Sequence, residues 1–537
     1  ATATGLGGTG TQTATLNVSN LAATLSASPT SLPSSGTSTL SYNITTDPGQ
    51  TVAVSIDNGV GNLGGNATGT VTTPTLNNTT TFTLTATESP SGISTTAQVT
   101  VTVGNMLASS VKHIIFLLQE NHSFDNYFGK LGIYRANDPF TGQSYGQVSD
   151  VDGIPNDSAF TIKDHSGKPL NPHHLKTLCV DNTSPSWDES HVDVDKQSNG
   201  SYKMDGFANG TASSMGAKYD PAGRRSMGYY DWTDFPYYYE LATQYATSDR
   251  WFAPALANTP INRMYSFAAT SYGTTYPEVP TPNGFAQPVI FDSLSQNNIS
   301  WSYYTQPPKN NAFLGSYNRP NNPNFSKDGL GSHYQDISNL LRDLADPQAD
   351  SKLASVIFID TAQPITGNPP PALDEHPGDG QMQFGAANTA NIINTFLASP
   401  AYASSVFILT YDEPGGLYDH VPPQPMPPPD NQPPSLQSPD GKTQVINAPF
   451  DTTGMRVPVI VISPWVKPHY VSHVVRDYTA ILKLIEKRFN LSSLTARDAA
   501  QDDMTEMFDF SHPSVLVPPK MPTQPTNGTC NASIEAQ

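Results

Sequence analysis

The sequence predicts an α/β protein: an α/β/α sandwich with a mostly parallel central sheet, preceded by a small all-β domain. Three observations support this prediction. The chain has 537 residues, which is too long for one hydrophobic core, so at least two domains are expected. The first hundred or so residues alternate polar with apolar side chains, which is the period of half-buried strands. From residue 110 onwards, continuous apolar runs alternate with helical patterns, which favours parallel strands joined by helices.

The N-terminal region is predicted to contain a flexible leader over residues 1–18 and a β-sandwich over residues 19–105. The segments TLSYNITT, TVAVSID, TTFTLTATES and TTAQVTVTVGN alternate polar with apolar residues and are rich in β-branched side chains. Such strands suggest a small sandwich, immunoglobulin-like in general shape. We expect a spacer or stalk, because the region offers no catalytic groups; adhesion or carbohydrate binding is the alternative.

The larger domain is predicted over residues 110–515, followed by a C-terminal tail over residues 516–537. Four apolar runs lack the alternation of half-exposed strands and are predicted as buried parallel strands, namely HIIFLLQ, ASVIFID, SVFILTY and VPVIVIS. A helix is predicted over residues 477–490, where apolar residues share one side and Asp477 is available as a cap. Strands that alternate with helices indicate a layered α/β/α architecture.

Composition limits the classes of partner. The formal net charge of −19 argues against nucleic acid, because binding to a phosphate backbone requires Lys and Arg.

No apolar run approaches the ~18 residues of a transmembrane segment. No signal peptide is visible, so either the chain is mature or the protein is not exported by that route. The two cysteines, Cys179 and Cys530, either form a disulfide that ties the tail to an early loop or are free.

Two of the predicted strands end in adjacent polar residues. HIIFLLQ continues into Glu120 and Asn121, and SVFILTY continues into Asp412 and Glu413. Ligands bind outside the carboxyl ends of strands in open α/β sheets, so these groups are expected at one edge. Carboxylate and amide oxygens suit a hard or borderline divalent cation. The sequence therefore favours a metal site, with simple capping of the following turns as the alternative.

A candidate nucleophile lies in the segment TPINRMYSF. Thr259 is predicted as an N-cap and Pro260 as the first helical residue, with Asn262 and Arg263 on the first turn. A phosphate at this helix start would meet free backbone N–H groups and the positive end of the helix dipole. A threonine hydroxyl beside a metal could ionise and attack phosphorus. The alternative is that Thr259 is only a cap.

Histidines could supply the general acid that a departing alkoxide needs. Four lie in polar, loop-like contexts: His191, His376, His420 and His473. Each of them could equally be structural. The sequence lacks the zinc-protease motif H-E-x-x-H and has no C-x-x-C pair. The pattern G-x-S-x-G occurs once, in GQSYG at 142–146, but no apolar strand run precedes it, so an α/β-hydrolase has little support. The aromatic run GYYDWTDFPYYYE at 228–240 is read either as a cage for a quaternary ammonium group or, more simply, as a buried helix.

Several separate stretches over about residues 111–490 resemble the motifs of one family, in the same order. ENHSFDNYFG is similar to E-N-R-S-F-D-x-Y-F-G, TPINR to T-W-P-N-R, YDEPGGLYDHVPP to Y-D-E-x-G-G-x-Y-D-H-V-x-P, and GMRVPVIVISPW to G-x-R-V-P-x-x-x-I-S-P-W; WDESH followed by KMDGF also matches. The family is the bacterial phosphoesterases that include phospholipases C and related acid phosphatases, within the alkaline phosphatase superfamily. Three residues differ from the family motifs: His122, Pro414 and Tyr478.

The resemblance implies an α/β/α fold with one divalent metal of unspecified identity, surrounded by the four polar residues at the two strand ends. It implies that Thr259 is the nucleophile and forms a phospho-enzyme. His191 and His376 match histidines that protonate the leaving group or hold phosphoryl oxygens. Asn262 and Arg263 match the end of the nucleophile motif and are expected to bind substrate, together with Asn121.

The expected function is metal-dependent hydrolysis of phosphoric esters through a phosphothreonine intermediate, with phospholipase C-type cleavage of a phosphodiester as the main interpretation. An acid phosphatase that acts on phosphomonoesters is the alternative. A surface binding or adhesion protein with an inactive esterase domain is a further alternative. The expected partner is a phosphate ester or phospholipid, with transient contact to a membrane surface, and the expected location is secreted, periplasmic or at the cell surface.

Overall fold

The computed structural model divides the chain into two compact units, residues 1–109 and 110–537, each of which is described by itself. The boundary lies where the composition changes. The residues that the structure describes are 2–5, 8–11, 20–32, 36–76, 78–104, 106–181, 183, 185–213, 220–276, 285, 287–306, 331–361, 373–378, 380–436, 445–531 and 533.

The N-terminal unit is built from strands whose side chains alternate between the interior and solvent. In Thr39–Thr45, for example, every second residue is buried. The strands in chain order are Thr2–Gly5 (β1), Gly8–Thr11 (β2), Ala22–Ser28 (β3), Ser31–Leu32 (β4), Thr39–Thr45 (β5), Thr51–Ile56 (β6), Gly61–Gly64 (β7), Thr68–Thr72 (β8), Thr80–Ser89 (β9) and Ser94–Val103 (β10).

Two sheets of this unit share one hydrophobic core. One has the order β4-β10-β9-β6-β7 and the other β3-β5-β8. Leu40, Val54, Phe82 and Leu84 are buried in the shared cluster. The immunoglobulin-like shape stays a prediction. Within the predicted flexible leader, β1 pairs antiparallel with β2, and the flexibility of this segment stays a prediction.

The second unit contains a central eight-stranded sheet with the order β19-β18-β20-β11-β21-β22-β16-β23. All four apolar runs singled out in the sequence are strands of it, and each is buried along its length. The strands of this unit in chain order are His113–Gln119 (β11), Ile162–Lys163 (β12), Pro169–Leu170 (β13), His173–His174 (β14), Gly228–Tyr229 (β15), Ala246–Ser248 (β16), Trp251–Phe252 (β17), Trp301–Thr305 (β18), Tyr334–Asp336 (β19), Val356–Asp360 (β20), Ser405–Tyr411 (β21), Val459–Ile462 (β22), Tyr470–Ser472 (β23) and Arg476–Asp477 (β24).

The direction of one predicted strand is wrong. The strands from β19 to β21 are parallel neighbours, but β22 pairs antiparallel with both β21 and β16, so the sheet is mixed. The physical reason is that burial on both faces produces the same continuous apolar run in either direction. The apolar pattern of VPVIVIS therefore predicted a buried strand correctly and its orientation incorrectly.

The helices in chain order are Met106–Ser110 (α1), Phe124–Phe128 (α2), Leu131–Ala136 (α3), Trp187–Val194 (α4), Phe207–Ser213 (α5), Pro236–Gln244 (α6), Thr259–Ala268 (α7), Ile290–Gln296 (α8), Ile337–Leu344 (α9), Ala349–Lys352 (α10), Met382–Leu397 (α11), Ala480–Phe489 (α12) and Ala496–Ala499 (α13). The predicted helix over 477–490 is shorter at its start. Asp477 ends β24 instead of capping the helix, and its Oδ1 accepts a hydrogen bond from the Thr479 backbone N–H at 2.8 Å.

The C-terminal tail is tied to the body of its unit. Cys179 and Cys530 form a disulfide, which decides between the two alternatives left open by the sequence. Next to it, the Leu178 backbone N–H donates to Thr529 O at 2.7 Å, and Gly528 N–H donates to Gln383 Oε1 at 3.0 Å. Among the described residues, no helix combines the length and apolarity that crossing a membrane requires.

Candidate active site

The carboxyl ends of three neighbouring parallel strands bring acidic residues to one edge of the sheet. Strand β11 lies between β20 and β21, and Leu118 is in register with both Asp360 and Thr410. Glu120 and Asp412 each follow two residues beyond this level, and both are buried. Parallel strands that end together thus place three carboxylates on one edge, as the sequence predicted for two of them.

Arg263, from the second turn of α7, binds all three of these carboxylates. Its Nε donates to Asp412 Oδ2 at 3.0 Å, Nη1 to Asp360 Oδ1 at 2.6 Å, and Nη2 to Glu120 Oε1 at 2.7 Å. The guanidinium is buried, and these acids hold its pKa well above the usual range against the opposing effect of burial. A planar fork of donors suits such a multidentate contact.

Two carboxylate oxygens at this edge are left open. Within the described residues, Asp412 Oδ1 and Glu413 Oε1 are buried and have no hydrogen-bond partner. Burial raises the pKa of both carboxyls, and neighbouring carboxylates raise it further. Buried oxygens without partners cost free energy, and a cation would satisfy them. The donor set therefore fits a divalent metal ion with oxygen ligands.

Thr259 is the first residue of α7, and the N-cap is Asn258, so the expectation that Thr259 itself is the cap is wrong by one residue. Its hydroxyl is therefore not consumed as a cap. Thr259 Oγ1 lies 3.5 Å from Asn121 Oδ1, and its hydroxyl also interacts with Asp412 and Glu413, where it opposes the rise in their pKa that burial causes. Asn121 is buried, whereas Thr259 is partly exposed. The hydroxyl thus faces the open oxygens from an accessible position.

The side-chain amide of Asn262 forms two hydrogen bonds to the backbone of the loop that precedes Thr259. Its Oδ1 accepts from the Ala255 backbone N–H at 3.0 Å, and its Nδ2 donates to Ala257 O at 2.6 Å. The side chains of Asn262 and Arg263 both bind protein groups, and their expected role as substrate ligands stays a prediction. Their geometry is that of residues that hold the loop and the acids in place.

The two histidines singled out by the sequence lie in different surroundings. We call Glu120, Asp360, Asp412 and Glu413 the acidic cluster. His376 lies beside it, because His376 Nε2 is 4.0 Å from Glu120 Oε2. His191 lies on α4, where its Nδ1 is 2.6 Å from Trp187 O and burial lowers its pKa. It lines a cavity of about 1210 Å³ whose described lining includes Lys163 and none of the acidic cluster.

His122 is an interior residue, which explains its place directly after the strand end. Its ring stacks on Tyr127 at 4.0 Å between centroids, with Nδ1 2.7 Å from Asn126 Oδ1 and Nε2 2.9 Å from Glu375 O. Burial lowers its pKa to about 4. A second departure from the family pattern, Tyr478, is also buried and donates its hydroxyl to Asp412 O at 3.2 Å.

The aromatic run at 228–240 is part of the core, and the cage interpretation is not supported. Tyr237, Tyr238 and Tyr239 on α6 are all buried. The hydroxyl of Tyr238 donates to Glu375 Oε1 at 2.5 Å. A cage for a cation needs open ring faces, and these rings pack against protein instead.

A second group of buried acids is neutralised by an arginine. Asp125, Asp419 and His420 approach each other as metal ligands do, but Arg456 donates to Asp125 Oδ1 at 2.9 Å and to Asp419 Oδ1 at 2.8 Å. His420 contacts Asp125 Oδ2 at 2.6 Å and Asp152 Oδ1 at 3.0 Å. This arrangement is an internal ion network that links three signature motifs of the sequence.

Two residues at the acidic cluster were missed by the sequence interpretation. Asp360 binds Arg263 and also accepts a hydrogen bond from the Tyr303 hydroxyl. A signal was available, because ASVIFID ends in an acid at the same point of its strand as the two that were recognised. Tyr303 carries no such signal, since its contact arises from pairing between β18 and β20.

An acidic edge of an α/β sheet, with an accessible hydroxyl at the start of the adjacent helix, is an arrangement in which a metal-activated hydroxyl could attack an ester. The chain belongs to the phosphoesterase family, whose model matches residues 111–492. It is therefore a phosphoric ester hydrolase, and the resemblance drawn from its motifs is confirmed.

Relatives of known class share this region. The chain is 28% identical over 465 residues to phospholipase C B of Mycobacterium tuberculosis, a match that covers 77% of this chain and 82% of the relative. It is 28% identical over 381 residues to non-specific phospholipase C4 of Arabidopsis thaliana, covering 69% of this chain and 65% of the relative. A solved structure of an alkaline phosphatase superfamily protein from Vibrio parahaemolyticus matches with a TM-score of 0.31 at 10% identity, over 53% of this chain and 67% of that one.

Proposed function

We propose that this protein is a metal-dependent phosphodiesterase of the phospholipase C type that works through a phosphothreonine intermediate. The observation that carries the proposal is the place of Thr259. Its partly exposed hydroxyl lies 3.5 Å from Asn121 Oδ1, beside two buried carboxyls that each keep one oxygen without a hydrogen-bond partner among the described residues. The relatives named phospholipase C support a phospholipid as the substrate.

Glu120, Asn121, Asp412 and Glu413 would hold one divalent cation. When bound, such an ion withdraws charge from a phosphoryl oxygen and favours the ionised form of a neighbouring hydroxyl. The two open carboxylate oxygens support this set of ligands. Arg263 positions the set, because it fixes one oxygen of Glu120 and one of Asp412 while leaving the other oxygen of Asp412 open.

In the proposed reaction, Thr259 Oγ1 forms a bond to phosphorus as the bond from phosphorus to the leaving alcohol breaks. The hydroxyl proton passes to solvent, and the alcohol oxygen takes a proton from His376. The free backbone N–H groups at the start of α7, together with Asn121, stabilise the phosphoryl oxygens. Water then attacks phosphorus as the Oγ1–P bond breaks, one proton of the water passes to Thr259 Oγ1, and His376 regains its proton from solvent.

His191 enters the proposal as a second histidine that contacts the substrate from the cavity beside α4. Its Nδ1 is engaged by Trp187 O, so Nε2 is the nitrogen that can meet a ligand. The lowered pKa favours the neutral ring with its proton on Nδ1, so Nε2 accepts hydrogen bonds and would meet a donor on the substrate rather than a phosphoryl oxygen. This contact would add to binding of the substrate without taking part in proton transfer at the leaving group.

We also propose a secreted, periplasmic or cell-surface location. The disulfide between Cys179 and Cys530 supports an oxidising compartment, because such bonds rarely persist in the cytosol. A phospholipid substrate would then bring the protein into transient contact with a membrane surface.

A panel of three substrates tests the proposal: p-nitrophenyl phosphate, p-nitrophenyl phosphorylcholine and phosphatidylcholine, each with and without a chelator. We expect hydrolysis of the two diesters, its loss with the chelator, and its return when a divalent ion is added back. Hydrolysis of the monoester alone would show that the protein is an acid phosphatase and not a phospholipase C. Hydrolysis that persists after complete removal of metal would contradict the metal dependence.

A further inference from the structure

The carboxylate of Glu375 is buried and bound by three tyrosine hydroxyls. Tyr127 donates to Oε2 at 2.8 Å, Tyr411 donates to Oε2 at 2.9 Å, and Tyr238 donates to Oε1 at 2.5 Å. Burial raises the pKa of Glu375 to about 7, although the three hydroxyls oppose this rise. Three neutral donors that converge on one buried carboxyl form a rigid anchor, which we call the tyrosine clamp.

The tyrosine clamp joins the short segment 373–378 to the same elements that carry the acidic cluster. Tyr411 is the last residue of β21 and directly precedes Asp412, while Tyr127 lies on α2, shortly after Asn121. The backbone of the segment is held as well, because His122 Nε2 lies 2.9 Å from Glu375 O. Both the side chain and the main chain of Glu375 are therefore fixed to the frame of the cluster.

His376, the neighbour of Glu375, is the group that this anchor places. Its Nε2 lies 4.0 Å from Glu120 Oε2, and its Nδ1 is 2.7 Å from Pro377 O. Residues 373–378 belong to no helix or strand, so no regular element holds this ring. The anchor at Glu375 thus fixes the backbone directly before the imidazole, and the ring's own contacts act together with it.

We infer that Glu375 is a positioning residue, which acts through the tyrosine clamp to hold the His376 imidazole where it can protonate the leaving group. The inference rests on the proposed function, since it concerns the efficiency of that proton transfer. The carboxyl is required for its shape and acceptor oxygens, and its charge is not required. Loss of the clamp should therefore slow the step that needs an acid and leave other steps nearly intact.

The chain offers a matched control for a change in the clamp. Tyr134 donates its hydroxyl to Glu240 Oε2 at 2.8 Å, the same distance as Tyr127 to Glu375, and burial raises the pKa of Glu240 to about 7. Tyr134→Phe and Tyr127→Phe therefore remove the same kind of bond from buried tyrosine–glutamate pairs. Only the second pair belongs to the segment that carries His376.

The experiment compares kcat on two diesters that differ in their need for an acid. The alkoxide released from a short-chain phosphatidylcholine needs protonation, whereas p-nitrophenolate from p-nitrophenyl phosphorylcholine leaves without it. We expect Tyr127→Phe to lower kcat on the alkyl ester about tenfold more than on the aryl ester, and His376→Ala to show the same preference more strongly. Tyr134→Phe should affect both substrates equally, and circular dichroism should show all three variants folded.

Conservative replacement of the anchor supplies a second readout. Glu375→Gln can still accept from Tyr127 and Tyr411 and can donate to Tyr238, so it should keep kcat on the alkyl ester within about threefold of wild type. Glu375→Leu should show the selective loss of the alkyl ester. A loss in Glu375→Gln as large as in Glu375→Leu would overturn the inference, because charge and not shape would then matter.

The outcomes separate this inference from the proposed function. If wild type hydrolyses neither diester, the proposed function fails and the inference falls with it. If wild type hydrolyses both and Tyr127→Phe resembles Tyr134→Phe in its ratio of the two kcat values, the inference alone is overturned. The inference also fails if His376→Ala shows no preference between the esters, since no acid would then be left to position.

Discussion

Arg263 and Asp412 form an ion pair that uses only one side of the carboxylate. Arg263 Nε donates to Asp412 Oδ2 at 3.0 Å, while Oδ1 of the same carboxylate has no hydrogen-bond partner among the described residues. The guanidinium thus orients the acid and leaves its second oxygen open. That division of the two oxygens is what a preorganised ligand requires, and it underlies the predictions that follow.

Replacing Arg263 by lysine should destabilise the protein strongly. A lysine ammonium cannot reproduce the three directed bonds to Glu120, Asp360 and Asp412, so buried carboxylates would lose their partners. We expect the free energy of unfolding in urea to fall by about 3–5 kcal/mol. Arg342→Lys is the control, because the Arg342 side chain is 67% exposed and should change stability by less than about 0.5 kcal/mol. Equal effects of the two changes would contradict the role of Arg263.

Removing one open oxygen should abolish metal binding. In Asp412→Asn, the amide oxygen can still accept from Arg263, but the amide nitrogen would replace the open Oδ1 and cannot ligate a cation. Elemental analysis should find about one divalent ion per wild-type chain and none in the variant. Asp195→Asn, which changes an exposed acid paired with Lys203, should keep the ion. A wild-type protein that is active and free of metal would contradict this prediction.

The internal ion network should make stability depend on pH. Its Asp125 and Asp152 carboxylates raise the pKa of His420 to about 9, against the effects of burial and of Arg456. Because the folded state holds this proton more tightly than the unfolded chain, the stabilisation is complete below about pH 6.5 and is lost as the pH rises through about 9. The contribution is roughly 3 kcal/mol.

Urea unfolding of wild type and His420→Gln across this range checks the sign. The difference in the free energy of unfolding should be largest near pH 6 and should shrink towards pH 10. His473→Gln serves as the control, because the His473 side chain is 61% exposed. A difference that grows as the pH rises would contradict the assignment of the raised pKa.

The disulfide should contribute to stability by limiting the unfolded chain. It joins residues 351 positions apart, so its removal frees a very long loop. The double variant Cys179→Ser, Cys530→Ser should lose about 2–5 kcal/mol in the free energy of unfolding. Reducing agent should lower the melting temperature of wild type and leave that of the double variant unchanged. A melting temperature of wild type that does not respond to reductant, with the bond shown to be reduced, would contradict this prediction.

Thr259 offers a change that separates chemistry from folding. Thr259→Ala removes the hydroxyl but no cap, because Asn258 is the N-cap of α7. We expect turnover to fall on the order of 10³-fold or more, while the free energy of unfolding changes by no more than about 1 kcal/mol. Thr259→Ser keeps a hydroxyl at the same place and should retain measurable turnover.

Local patterns in the sequence were enough to predict the strands and the edge at which the site lies. Uninterrupted apolar runs mark buried strands, and polar residues directly after them mark the carboxyl edge. The direction of Val459–Ile462 could not be predicted in this way, since a strand buried on both faces has the same composition whether its neighbours are parallel or antiparallel.

The finer contacts of the site could not be predicted, because they join residues far apart in the chain. The family pattern placed Arg263 near the candidate nucleophile, Thr259, but the three carboxylates that Arg263 binds lie at the ends of three different strands. In the sequence, His122 was recognised only as a departure from the family motif. Its contact with Glu375 joins residues 253 positions apart. Such pairings depend on strand order and register, which a single sequence does not reveal.

The central claim is that Thr259 carries the phosphoryl group during turnover. The most direct measurement is an acid quench of the enzyme within its first turnover of p-nitrophenyl phosphorylcholine, followed by mass spectrometry of its peptides. We predict a phosphorylcholine adduct on Thr259, and no adduct in Thr259→Ala. An adduct on another residue, or full single-turnover hydrolysis by Thr259→Ala, would contradict the account.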